Sequence, residues 1–131
     1  MAFVVPVVGE IEFLKRIVGL STSGNIQLCL YVNDYVPDEG TTIVNLTECT
    51  ATGYARITLT TTSWTTSQVS GQSTASYAEQ TFTITDSATV YGYYLLDASN
   101  NLLLVERFGT SAFVLPAGGG QIAITPTISL E

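Results

Sequence analysis

Residues 87–108, SATVYGYYLLDASNNLLLVERF, are the stretch around which the rest of the chain must be arranged. Two runs rich in aromatic and branched residues, 89–96 and 102–108, flank the polar link Asp97-Ala98-Ser99-Asn100-Asn101. That pattern predicts a β-hairpin. Alternation along the first run places Val90, Gly92, Tyr94 and Leu96 on one face, and Tyr91, Tyr93 and Leu95 on the other. Both faces are therefore apolar. A strand pair that can show neither face to water must lie between two layers, or between its own sheet and a partner chain.

Before the hairpin, residues 26–32 alternate with Ile26, Leu28, Leu30 and Val32 on one side and Gln27, Cys29 and Tyr31 on the other, predicting a strand. Shorter strands are expected over 42–47, 53–60 and 78–85, and after the hairpin over 111–115. Pro116-Ala117-Gly118-Gly119-Gly120 is a turn. The closing run 121–130 has strict period two, with Pro126 removing one ladder donor and so placing the strand at an edge or a bulge. Strands at intervals of roughly ten residues predict a mainly β domain spanning 1–131, an antiparallel β-sandwich of jelly-roll or Ig-like type with about seven or eight strands.

Three segments stand apart from that pattern. Residues 1–8, MAFVVPVV, form an apolar run broken by Pro6, either an edge strand of the same domain or an extended arm reaching a neighbour. Residues 9–19, GEIEFLKRIVG, are the one helical candidate: Ile11, Leu14, Ile17 and Val18 recur at helical spacing, acids come early, bases late, and glycines flank the run. So short a helix is expected to form only by packing on the sheet. Ser21-Thr22-Ser23-Gly24-Asn25 follows as a turn. Residues 61–76, TTSWTTSQVSGQSTAS, read as a long polar connection carrying the sole tryptophan, Trp64, either an exposed stacking platform or a lid folded back on a sheet.

Composition narrows the partners. At 131 residues and 14.0 kDa the chain is the size of one domain. Only 11% of residues are charged, against a usual share near ~25%, so much of the surface must be hydroxyl, amide and apolar atoms. Such a surface favours association. The net charge of −7 and the scattered Lys15, Arg16, Arg56 and Arg107 provide no basic stripe for nucleic acid and no attraction to an anionic membrane. No run approaches the length of a membrane span, and residues 1–8 lack the features of a secretion signal.

The residue types that carry chemistry are sparse. Histidine is absent, which removes the commonest general base and metal ligand. Cys29 and Cys49 are expected to be small buried thiols, with a disulfide as the alternative. Asp34, Asp38 and Glu39 raise the question of a calcium loop, but the Asp/Asn ladder and closing Glu are missing, so a solvated loop is expected. Asn45-Leu46-Thr47 matches a glycosylation sequon. Glu106-Arg107 offers an ion pair with a structural role. Neither catalysis nor a cofactor or metal is expected.

The pieces VPVVGEIEFLKRIVG (5–19), LYVNDYVP (30–37), IVNLTECTATGYARITLTTTSW (43–64), QTFTITDSATVYGYYLLDASNNLLLVERF (80–108) and QIAITPTISL (121–130), taken in that order, resemble small structural proteins of tailed bacteriophages, including those infecting cyanobacteria. The resemblance covers most of the chain and carries over no catalytic residue. It implies a virion component made in the host cytoplasm, most simply a capsid cement or decoration protein on the head surface. The expected partners are the major capsid protein, copies of the chain itself as a dimer or trimer, or both. A tail, baseplate or fibre component is the alternative. Candidate partner contacts are Phe3, Val4, Val5, Pro6, Val7, Tyr35 and Trp64. A reading of another class, a carbohydrate-binding module, would use Trp64 with the rings of Tyr31, Tyr35 and Tyr54.

Overall fold

The computed structural model describes residues 3–20, 24–109 and 111–130. In chain order its elements are β1 (Phe3–Val4), α1 (Val7–Ile17), β2 (Ile26–Tyr31), a 3-10 turn (Ile43–Asn45), β3 (Ile57–Leu59), β4 (Thr65–Val69), β5 (Gln72–Ser76) and β6 (Gln80–Ile84). There follow β7 (Ala88–Val90), β8 (Gly92–Leu96), β9 (Leu102–Arg107), β10 (Phe113–Leu115), β11 (Gly120–Ile124) and β12 (Thr127–Leu130). The molecule is mainly β, with one helix and antiparallel pairing throughout the described strands.

The predicted hairpin is the centre of a five-stranded sheet of order β1-β9-β8-β2-β3. All residues of β8 are buried, as are the first four of β9. One sheet face, with Leu28, Leu30, Leu59, Tyr93 and Leu95, joins Phe82, Ile84, Ile122 and Ile124 from the β6–β11 ribbon and Val90 and Leu115 from the β7–β10 ribbon. The opposite face forms a second cluster of Cys29, Tyr31, Tyr94, Leu96, Leu102 and Val105, covered in part by Leu46 and Tyr35. Each fully buried Leu or Val contributes about 1.5–3 kcal/mol, so losing either cover would expose several such side chains.

Alternation is interrupted twice inside this segment. Val90 belongs to the first cluster with Tyr93 and Leu95, not to the face of Tyr94 and Leu96, because the chain passes at Tyr91 from the β7–β10 ribbon into the large sheet. Leu95 pairs with Leu104 but Leu96 pairs with Leu102, which leaves Leu103 as a bulged extra residue. Both Leu103 and Leu104 then reach the first cluster.

Elsewhere the expected seven or eight strands of a two-sheet sandwich are, among the described residues, twelve shorter strands in four sheets. The closing run 121–130 is split at Thr125-Pro126. Its first half pairs with β6 and its second with β5, while the Pro126 carbonyl accepts from the Tyr77 N–H. The supposed connection 61–76 is a hairpin, β4–β5, turned by Ser70 and Gly71, both at positive φ, and completed by β12. The strand expected over 42–47 is instead the 3-10 turn, where the Asn45 side chain accepts from the Thr42 N–H and hydroxyl.

Of the N-terminal run, Phe3 and Val4 form an edge strand of the chain's own sheet, opposite Glu106 and Val105, while Val7 and Val8 already belong to α1; Met1, Ala2 and the Ser21–Ser23 part of the predicted turn lie outside the described residues. The helix starts at Val7, two residues before the expected point, so Gly9 is interior to it. Gly19, at φ 77°, does end it: Gly19 N–H donates to the Arg16 carbonyl and Leu20 N–H to the Lys15 carbonyl.

The helix packs on β9 with the opposite face from the one expected. Gly9 and Glu12 are buried and Phe13 joins the first cluster, whereas Leu14 is 60% and Val18 65% exposed. The cause is backbone proximity. A Cβ on Gly9 would overlap the Leu103 carbonyl, so only the glycine side of α1 can approach β9 this closely. We predict that Gly9→Ala, which in an exposed helix would gain about 1 kcal/mol, instead destabilises the protein by about 1–3 kcal/mol in urea unfolding. A more stable variant would mean that α1 does not rest on the β9 backbone.

Candidate functional site

Four groups of polar side chains and one apolar surface are candidates for function. The hairpin tip is the most buried of the polar groups. Asp97 is 2% exposed, and its Oδ1 accepts from the N–H groups of Ser99 and Asn101 at 2.8 and 2.9 Å, while Oδ2 accepts from Asn101 Nδ2 at 3.0 Å. Burial alone would raise its pKa, but these hydrogen bonds, with the Arg16 charge, hold it below the ordinary carboxylate value. An acid so engaged closes a turn, with both oxygens bonded to its own loop.

A second group sits beside β2. Arg56 forks onto Glu48, with Nε to Oε2 at 2.8 Å and Nη2 to Oε1 at 2.9 Å; Tyr54 Oη donates to the same Oε2 at 2.7 Å. Arg56 also reaches Asn100 Oδ1 at 2.8 Å, tying this cluster to the hairpin tip, and the Leu30 N–H donates to Tyr54 Oη. The hydrogen bond from Arg56 lowers the Glu48 pKa despite partial burial. Next to it burial pushes the Cys29 thiol up to about 12, the Glu48 charge adding to the effect. The result is an ionised acid with both oxygens occupied beside a protonated thiol, a brace between segments. Cys29 and Cys49 are both free and buried, as two unpaired thiols.

The third group holds the loop between β2 and the 3-10 turn. Arg107 donates to Asp34 Oδ1 at 2.6 Å and to the Tyr35 carbonyl at 2.9 Å, with its guanidinium 5.2 Å from the centre of the Tyr91 ring. Arg107 thus pairs with Asp34 and not with its neighbour Glu106. Asp38 accepts from the Gly40 N–H within its own turn. Asp34 and Asp38 are thus engaged separately while Glu39 is exposed, and no group of three or more potential metal-ligating residues occurs among the described residues. The last polar group is Glu12, buried and paired with Lys15 at 2.8 Å.

The aromatic residues singled out from the sequence lie apart. Tyr31 is fully buried. The Tyr54 ring stacks on Phe82 at 5.7 Å, and Tyr35 Oη is hydrogen-bonded to Thr41 Oγ1. Trp64 packs edge-on against Tyr77 at 5.3 Å and joins the rim of the first cluster, which is the lid arrangement. Of the N-terminal candidates, Phe3, Val4 and Val5 pack against the chain's own clusters and Pro6 is buried as the helix N-cap, leaving Val7 half exposed.

Apart from Val7, already a candidate, the residues missed as a surface are on the outer face of α1, which was expected to meet the sheet. Val7, Ile11, Leu14 and Val18 are exposed along it, flanked by Val8 and Ile17, and Leu20 is exposed just past the helix end. Beside it a cleft of about 300 Å³ is lined by Val8, Ile11, Ile43 and Leu102 with Glu12, Thr42, Asn100 and Asn101. Gly9, on the face opposite this stripe, was the available signal that the stripe faces away from the sheet. No helix among the described residues is long and apolar enough to cross a membrane. Compared with known protein families, curated proteins and solved structures, the chain has no match.

Two outcomes follow. Because its folded-state pKa is depressed, Asp97 contributes stability that is complete above the ordinary value of 3.8 and is lost as pH falls through the lower folded value. Asp97→Ala should therefore cost about 1–3 kcal/mol at pH 7 and flatten the acid limb of stability; an unchanged acid limb would refute the assignment. Both cysteines should resist a thiol reagent at pH 8 in the native protein and react fully in urea. Rapid labelling of the native protein would contradict the burial of Cys29 and Cys49.

Proposed function

We propose that this chain is a structural component of a tailed-phage virion, most simply a capsid cement or decoration protein, working by protein–protein contact. The observation that carries the reading is the contrast between its two kinds of surface. Arg56 with Glu48 and Arg107 with Asp34 tie the chain's own segments together, while a broad apolar helix face is left in water. A protein that braces its own loops with ion pairs and leaves a contiguous run of apolar residues in water is suited to binding other protein.

The architecture is consistent with that role. The first cluster joins the five-stranded sheet to the β6–β11 and β7–β10 ribbons through one apolar core, which suits a rigid building block. The sequence resemblance to phage structural proteins supplies the virion context, and the major capsid protein and sister copies are the partners it points to. The head surface is the corresponding location.

The test is to separate heads from tails of the particle that encodes the chain and to identify proteins in each by mass spectrometry. The chain is expected in the head fraction, and heads lacking it should open at a lower temperature than complete heads. Recovery with tails would replace the head assignment by a tail role. Absence from purified particles would overturn the virion reading altogether.

A further inference from the structure

We infer that the outer face of α1 is a seam between two copies of this chain, the two helices running parallel about a two-fold axis. The exposed stripe Val7, Ile11, Leu14, Val18 has spacings of four, three and four, which places Val7 and Leu14 at d and Ile11 and Val18 at a of a heptad. Branched Ile and Val at a with Leu at a d position is the choice that favours two parallel strands. The positions on the far side of the helix, Gly9 and Arg16 at f with Glu12 at b and Phe13 at c, are the ones turned toward the chain's own body. One helix therefore serves two contacts through two separate faces.

Charge selects the orientation. Glu10 occupies a g position and Lys15 the e position five residues on, so in a parallel pair Glu10 of each copy meets Lys15 of the other. Lys15 already donates to Glu12 at 2.8 Å, and its ammonium has further donors for a second carboxylate. An antiparallel pair brings like sides together, which would place Glu10 beside the apolar Ile17 of the other copy and Lys15 beside Val8. The parallel arrangement leaves neither charge unmatched.

The area is sufficient. Weighted by exposure, the six apolar residues Val7, Val8, Ile11, Leu14, Ile17 and Val18 present on the order of 600 Å², at the top of the ~300–600 Å² range for the largest patch on a typical monomer and about three-quarters of the ~800 Å² each partner contributes to a standard interface. The exposed Ile43, across the cleft from Ile11, extends the same surface. A second copy is the occupant whose a, d, e and g residues match this stripe, because it carries the same stripe. The seam and the virion reading draw on the same apolar face but part in their tests: a monomer overturns the seam alone, and absence from purified particles overturns the virion reading alone.

Sedimentation equilibrium of the full chain should give twice the 14.0 kDa monomer mass. Ile11→Lys, on the water-facing side, should yield a monomer with an unchanged circular dichroism spectrum. Glu10→Lys should weaken the dimer roughly tenfold, and adding Lys15→Glu should restore it. Leu14→Cys, in a protein whose native thiols are buried, should form a disulfide-linked dimer on mild oxidation, since d faces d only in the parallel pair. A monomeric wild-type protein, a dimer indifferent to Ile11→Lys, or a dimer whose Leu14→Cys variant does not cross-link would each overturn the proposal. So would a helix face covered only by a different protein.

Discussion

The constraint on which this structure depends is that β8 is buried on both faces. Tyr93 and Leu95 require cover on one side, Tyr94 and Leu96 on the other. A two-stranded hairpin cannot supply both covers, so the chain must bring separate material to each. The first face is covered by ribbons drawn from β6, β7, β10 and β11; the second by the loop carrying Tyr35 and the segment carrying Leu46. Irregular chain can serve as a cover only if its backbone is tethered, because a buried loop leaves polar groups in need of partners. That need accounts for where the charges go.

Arg56 and Arg107 are held in salt bridges that anchor such tethers. Arg107, from β9, grips Asp34 and the Tyr35 carbonyl and so holds the loop over the second face. Arg56 joins Glu48 to the hairpin tip through Asn100. Exposed ion pairs contribute little each, but forked and multiply bonded ones fix geometry. Glu10, Glu39, Glu79 and Asp86, by contrast, stay exposed to water.

Much of the fold was legible from pattern alone. The hairpin, β2 and the tight turns follow from alternation and from turn chemistry that acts over a few residues. What was not legible has two physical origins. The β4–β5 hairpin consists of Thr, Ser and Gln exposed to water, so it carries no apolar period, and only the Ser70-Gly71 turn betrays it. The run 121–130 keeps perfect period two while changing sheets at Pro126, because period two reports which side each residue faces and not which strand lies beside it. The candidate polar site was legible as residue types only, since Glu48, Arg56 and Asn100 meet through sheet pairing across long sequence separations.

By itself the sequence determined that residues 87–108 form a hairpin needing cover on both faces, and that a short amphipathic helix precedes the first long strand. It also determined that too few charges exist to sheathe the surface. Only the tertiary structure decided which side of that helix meets the body. An apolar stripe is equally content against a sheet or against another protein, since burial free energy depends on area and not on the identity of the cover. The choice fell to the Leu103 carbonyl, which accepts the approach of Gly9 and of no residue with a Cβ, and so turns Ile11 and Leu14 outward.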